Sequence, residues 1–205
     1  MKKVVFDFGG VLFHWQPEAM LQREVPHLAY DEESARHWVL TIFQSYGGDW
    51  GEFDRGRLEV PDLVRRIARR TGLPTSELLR VVQGVPSELR PIPESVALLT
   101  RLREAGRTLF FLSNMPEPYA AHLERENAFV GWFNDGIFSA RVNHIKPEAA
   151  IFELAARRFG ADPADLVFLD DHAPNVEQAR ALGWNAVHFR NAAQAETELR
   201  ARGWV

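Results

Sequence analysis

The chain has 205 residues, 46% hydrophobic and 25% charged, with a formal net charge of −4 and no cysteine. That length and balance predict one globular unit, or a core with an insertion, able to bury a core of its own. A disulfide framework and thiolate metal sites are excluded, and there is no basic footprint for nucleic acid or an anionic membrane.

The opening MKKVVFDFGGVLF starts like a leader, with two lysines and an apolar stretch, but Asp7 and the pair Gly9-Gly10 interrupt it and no small-residue cleavage site follows. No run approaches the roughly 18 apolar residues of a membrane span. A soluble, cytoplasmic protein is expected. Val4 to Phe8 reads as a buried strand carrying one ionisable residue, Asp7, which is costly there unless something pairs with it.

From Pro17 to Ser87 only helical patterns occur, over Glu32–Phe43, Val60–Ile67 and Ser76–Val82. Turn signals at Gly47-Gly48, Arg55-Gly56 and Thr71-Gly72-Leu73-Pro74 separate them. This stretch is expected to be a small helical bundle, residues 17–87, inserted into a core formed by 1–16 and 88–205. Arg65, Arg66, Arg69 and Arg70 share one helix face opposite Leu63 and Ile67 and read as a solvated surface. The glycine-rich Ser45–Asp49 reads as an inter-helix turn, because no strand precedes it.

From Pro91 onward strands and helices alternate. The helical set Val96, Leu98, Leu99 and Leu102 stops at Gly106, and Arg107–Leu112 follows as a strand. Gly136–Ala140 is a second strand, Pro147–Phe159 a helix ended by Gly160, and Asp165–Leu169 a third strand. Val176–Leu182 is a helix closed by Gly183, and Ala186–Phe189 the last strand. Such alternation with continuously apolar strands predicts an α/β fold, a parallel sheet with helices on both faces.

In an open parallel sheet, ligands bind beyond the carboxyl ends of the strands. The residues that close these strands are Asp7, Ser113-Asn114 and Asp170-Asp171, while Lys146 precedes Pro147 at a helix start. A single strand-ending Asp is commonly a helix N-cap. The full set predicts a rim of three carboxylates, one lysine and one hydroxyl. Clustered carboxylates call for a hard cation, and magnesium suits a few carboxylates plus water and phosphate oxygens. A lysine there neutralises a nucleophile and a phosphoryl group, and a hydroxyl hydrogen-bonds phosphoryl oxygens. A carboxylate attacks phosphorus to form an acyl phosphate that water later cleaves.

Asp7 in FDFGGVL, Ser113 in FFLSN, Lys146 in IKPEAAIF and Asp170-Asp171 in FLDDHAPNV together resemble the motifs of the haloacid dehalogenase-like hydrolase superfamily, all four in order. The chain is most similar to the group typified by alpha-D-glucose-1-phosphate phosphatase, and also to the phosphatase domain of soluble epoxide hydrolase. The resemblance implies a Rossmann-like, three-layer core with an alpha-helical cap over residues 17–87. It implies a Mg2+-dependent phosphatase hydrolysing a small, sugar-like phosphate monoester through a phosphoaspartate on Asp7. Asp7, the Gly9 carbonyl and Asp171 would bind the metal, with Asp170 behind them or acting through water. Ser113 and Lys146 would hold the phosphoryl group together with the backbone at Gly9, Gly10 and Asn114. Asn175 would orient the Asp171 loop, and the segment Gly51–Gly56 would select the substrate.

One position departs from that pattern. Most phosphatases of the superfamily carry an aspartate two residues after the nucleophile as general acid and base, and this chain has Gly9 there. His14, His172, Asp49 and Glu52 are the candidate substitutes. Two other accounts follow from the same gap: a 2-haloacid dehalogenase, in which Asp7 displaces halide from carbon, or a degenerate protein that binds a phosphorylated ligand.

Overall fold

The computed structural model describes residues 2–205. Its sheet contains β1 (Lys3–Phe6), β2 (Leu109–Ser113), β3 (Asp135–Phe138), β4 (Leu166–Asp170) and β5 (Asn185–His188). The order across the sheet is β3-β2-β1-β4-β5, and every neighbouring pair is parallel. Successive side chains of a strand point to opposite faces. Val4 and Phe6 therefore join one apolar cluster and Val5 the other, and Val167 and Leu169 part from Leu166 and Phe168 in the same way. Every residue of β2 and β4 is buried, which is why these strands read as unbroken apolar runs.

Between β1 and β2 run α1 (Pro17–Glu24), α2 (Glu32–Phe43), α3 (Gly48–Asp54), α4 (Val60–Thr71), α5 (Thr75–Glu88) and α6 (Pro93–Glu104). The helices α7 (Glu117–Glu126), α8 (Ala149–Arg158), α9 (Ala173–Ala181) and α10 (Ala192–Ala201) complete the alternation. Ile151, Phe152 and Ala155 of α8, with Val176 and Ala179 of α9, pack on the Val5–Phe168 face. The opposite face takes Leu98 and Leu99 of α6 and Leu199 of α10, and its cluster continues into Met20, Phe43, Phe53, Ile67 and Val81 of the helices before α6. The inserted helices thus share one apolar core with the sheet.

The expected α/β architecture is present, with shifted boundaries. β1 stops at Phe6 because the Phe8 carbonyl accepts the amides of Val11, Leu12 and Phe13, folding the chain into a tight turn. β2 begins two residues later than expected, because the Arg107 amide closes α6 on the Leu102 carbonyl. α4 and α5 continue past the apolar markers Ile67 and Val82. Two arginines of the α4 face are tied to their neighbours: Arg66 and Arg70 pair with Asp49, and Arg70 also donates to the Thr41 carbonyl.

The chain winds from β1 outward to β2 and β3, then returns to add β4 and β5 on the other side of β1. That reversal opens a crevice at the carboxyl ends of β1 and β4. Asp7 follows β1 directly, its amide donating to the Leu169 carbonyl at 2.9 Å, and Asp170 is the last residue of β4.

Candidate active site

The crevice is organised around one buried ammonium. Lys146 Nζ lies 2.9 Å from Asp7 Oδ2 and 2.6 Å from Asp170 Oδ2. Asn114, just beyond β2, clamps the lysine's backbone: its Oδ1 accepts the Lys146 amide at 2.8 Å, and its Nδ2 donates to the Lys146 carbonyl at 2.9 Å. Burial works against the ammonium, but the carboxylates of Asp170 and Asp7 outweigh it and raise its pKa. Asp170 also accepts from the His172 amide (2.8 Å) and from Asn175 Nδ2, which lies 3.2 Å and 3.0 Å from its two oxygens. Asn175 therefore holds Asp170, where the sequence reading has it orienting the Asp171 loop.

Carboxylate oxygens of Asp7, Asp170 and Asp171 lie within 4.8 Å of one another. Burial pushes the Asp7 carboxyl up to about 8; Lys146 pulls it down, and Asp170 and Asp171 push it up again. Asp171, which still meets solvent, is raised by desolvation and then by Asp170. Three carboxylates face one ammonium here, a donor set that a hard cation balances. Asp170 is fully buried and engaged by protein donors, whereas Asp7 and Asp171 line the cavity and are the carboxylates that face it.

The two glycines have separate tasks. Gly10 takes φ +71°, and a Cβ on it would collide with the Asp171 carboxylate. Its amide donates to the Phe13 carbonyl at 2.8 Å and so closes the turn. Gly9 has no positive φ, and a Cβ there would meet Trp15 Cβ at an ordinary 3.8 Å. It lines the cavity, as the carbonyl role expected of it requires.

Above these groups is a cavity of about 430 Å³. Its floor includes Asp7, Gly9, Ser113, Lys146 and Asp171. Ser113 Oγ is buried and has no hydrogen-bond partner among the described residues, so it is available to an acceptor or donor in the cavity. Asn114 also lines the cavity, but with its side chain turned to Lys146. Of the substitutes for the missing acid, His172 reaches the cavity and His14, Asp49 and Glu52 are not among its lining. Asp49 pairs with Arg66 and Arg70, and Glu52 with Arg55 and Arg57.

A carboxyl that the sequence reading did not single out does line it. Asp54, at the end of α3, is 3% exposed. Burial pushes its pKa well above the usual carboxylate range, with Lys146 and Arg55 opposing. The sequence signal was the Gly51–Gly56 segment, but helical spacing alone does not tell which of its side chains turns to the sheet. The arrangement thus combines an oriented carboxylate, a fixed cation, a buried hydroxyl and a second buried carboxyl with a raised pKa around one cavity. Nucleophilic displacement followed by hydrolysis is the chemistry that set can perform.

A family model for haloacid dehalogenase-like hydrolases matches residues 1–183. The sesquiterpene phosphatase astK of Aspergillus oryzae is 30% identical over 200 residues, covering 97% of this chain and 95% of that protein. The (S)-2-haloacid dehalogenase of Pseudomonas fluorescens is 23% identical, with 97% and 88% covered. Among solved structures, the HAD family enzyme bt-2542 of Bacteroides thetaiotaomicron, in complex with magnesium and inorganic phosphate, superposes with a TM-score of 0.72 at 22% identity, covering 93% and 95% of the two chains.

Proposed function

This chain belongs to the haloacid dehalogenase-like hydrolase family, and we propose that within it the protein is a magnesium-dependent phosphatase acting on a phosphate monoester. The observation that carries this reading is the cluster of Asp7, Asp170 and Asp171 around a point facing the cavity. Attack on carbon by one carboxylate needs no second and third beside it, whereas a phosphoryl group arriving with a cation does. The astK phosphatase, and the magnesium and phosphate held by the structural relative, support the same choice.

Asp7, Asp171 and the Gly9 carbonyl would hold Mg2+, with Asp170 behind them fixing Lys146. Bound there, magnesium would offset negative charge on the nucleophile and the phosphoryl oxygens. The Asp7 carboxylate attacks phosphorus, the ester P–O bond breaks, and a phosphoaspartate forms. Lys146 and the Ser113 hydroxyl hold phosphoryl oxygens through the step. Asp54 gives its proton to the departing alcohol oxygen and, once ionised, takes one from the water that cleaves the phosphoaspartate. In this way the helical segment 17–87, acting as a cap, supplies the acid that Gly9 lacks.

The test is phosphate release from a panel of phosphate monoesters, with magnesium or EDTA, by wild type and Asp7→Asn. Turnover that requires both metal and Asp7 is the expected result. Halide release from 2-haloacids, with no phosphate release from any ester, would replace the reading with dehalogenation.

A further inference from the structure

We propose that the alcohol of this ester is apolar, a hydrocarbon or aromatic group seated between the carboxyl edge of the sheet and helices α3 and α5, in place of the sugar-like alcohol expected from sequence. The inference rests on the phosphatase reading for the position of the phosphoryl group. Beyond the carboxylates, the cavity wall is Trp15, Trp50, Val85, Leu89, Met115 and Ile145, completed by the rings of Tyr46 and Tyr119. Trp50 comes from α3, Val85 and Leu89 from the end of α5, Tyr119 from α7, Tyr46 from the turn between α2 and α3, and Trp15, Met115 and Ile145 from loops at the sheet edge.

Several polar atoms on this wall are engaged within the protein. Trp15 Nε1 donates to Tyr46 Oη at 2.7 Å, and Tyr119 Oη donates to the Val82 carbonyl at 2.8 Å. The Arg55 guanidinium is forked onto Glu148, with Nη1 at 2.7 Å from Oε2, and its Nε lies 3.1 Å from Glu52 Oε1. Asn114 is engaged with the Lys146 backbone on both sides of its amide. A sugar brings a hydroxyl on nearly every carbon, and each one taken out of water needs a partner. Asp54, Ser45, His172, the Trp50 indole and the unpartnered Asn175 Oδ1 are the remaining polar side-chain groups, too few to match such a ring of hydroxyls. A hydrocarbon asks only for apolar area, and that is what the wall presents.

Asp54 belongs to the same picture: it is buried against this wall, and the alkoxide of a simple alcohol is basic enough to need a proton as it leaves.

The experiment is a series of n-alkyl phosphates from ethyl to octyl, which share one leaving-group chemistry, compared with glucose 6-phosphate. In parallel, n-alkylphosphonates are titrated calorimetrically in the presence of magnesium. The expected kcat/KM rises roughly threefold per methylene until the cavity is filled, so hexyl phosphate exceeds ethyl phosphate by about 10²-fold and glucose 6-phosphate falls below both. Phosphonate affinity follows the same order, with an increasingly negative heat-capacity change. A flat response to chain length in both assays, or faster turnover of glucose 6-phosphate than of hexyl phosphate, overturns the proposal. Chain-length-dependent phosphonate binding with no hydrolysis of any ester supports the apolar site and removes the phosphatase reading instead.

Discussion

Lys146 Nζ lies 2.6 Å from Asp170 Oδ2, and neither side chain is reached by solvent. The same nitrogen sits 2.9 Å from Asp7 Oδ2, so one ammonium neutralises parts of two carboxylates. Breaking a buried pair by removing one partner costs about 3–5 kcal/mol, because the other charge is left uncompensated. Lys146→Met is expected to lose that much stability at pH 8 in urea unfolding without metal. The loss shrinks at pH 5, where the stranded carboxyls take up protons. Wild-type stability at pH 8 would mean that the lysine is not what neutralises the site.

The raised Asp7 carboxyl gives metal-free stability a definite pH slope. Its folded pKa is about 8 against 3.8 for an unperturbed Asp, with burial as the main cause. Between roughly pH 4 and 8 the folded chain keeps a proton that the unfolded chain has released. Fewer protons are then bound in the unfolded state, so stability falls as pH rises through that window. The penalty is absent below the unfolded value and complete above the folded one. In EDTA, Tm is expected to drop steadily from pH 5 to 8, and Asp7→Asn to flatten the drop. Magnesium at pH 8 should raise Tm, since it binds the folded chain. A metal-free Tm that climbs over this range would contradict the assignment.

The floor of the site was legible in the sequence because a parallel sheet leaves a plain record. Runs such as Leu109–Leu112 and Leu166–Leu169 are apolar on both faces, so a polar residue closing them marks the carboxyl edge. Asp7, Ser113, Asp170 and Asp171 were found that way, and Lys146 from its place before a helix. Asp54 was not, because α3 is seven residues long and buried on several sides, so its pattern fixes no unique face. Which of the two aspartates Asn175 bonds was hidden for a related reason. A side-chain amide near two adjacent aspartates gives no hint in sequence of which one it bonds. The two glycines look alike in sequence because both permit a turn, and only φ and the Asp171 carboxylate beside Gly10 tell them apart.

Asp54→Asn separates a proton donor from a structural group by its dependence on the leaving alcohol. General acid catalysis contributes roughly 10²–10⁴-fold, and that much of kcat should vanish for an alkyl phosphate. For p-nitrophenyl phosphate, whose phenolate leaves without help, the loss should be far smaller. The mutant should also lose the basic limb of the wild-type pH profile, which reports ionisation of the acid. Equal losses for both esters would place Asp54 among residues that only shape the cavity, and His172→Ala then becomes the variant to measure for the same signature.

Alanine at the two adjacent glycines should give opposite results. At Gly10 the φ of +71° is left-handed, and an L side chain there costs roughly 1–2 kcal/mol. The new methyl would also strike the Asp171 carboxylate, so that carboxylate or the turn that Gly10 closes onto Phe13 must move. Gly10→Ala is therefore expected to lower stability and to abolish the response to magnesium together, in urea unfolding and in phosphate release. Gly9 has no such φ, and the added methyl meets Trp15 at an ordinary 3.8 Å. Gly9→Ala should stay within about 0.5 kcal/mol of wild type, as substitutions without a named clash do. If Gly9→Ala were the damaging change and Gly10→Ala the silent one, the Gly10–Asp171 packing described above would not be what holds the second carboxylate in place.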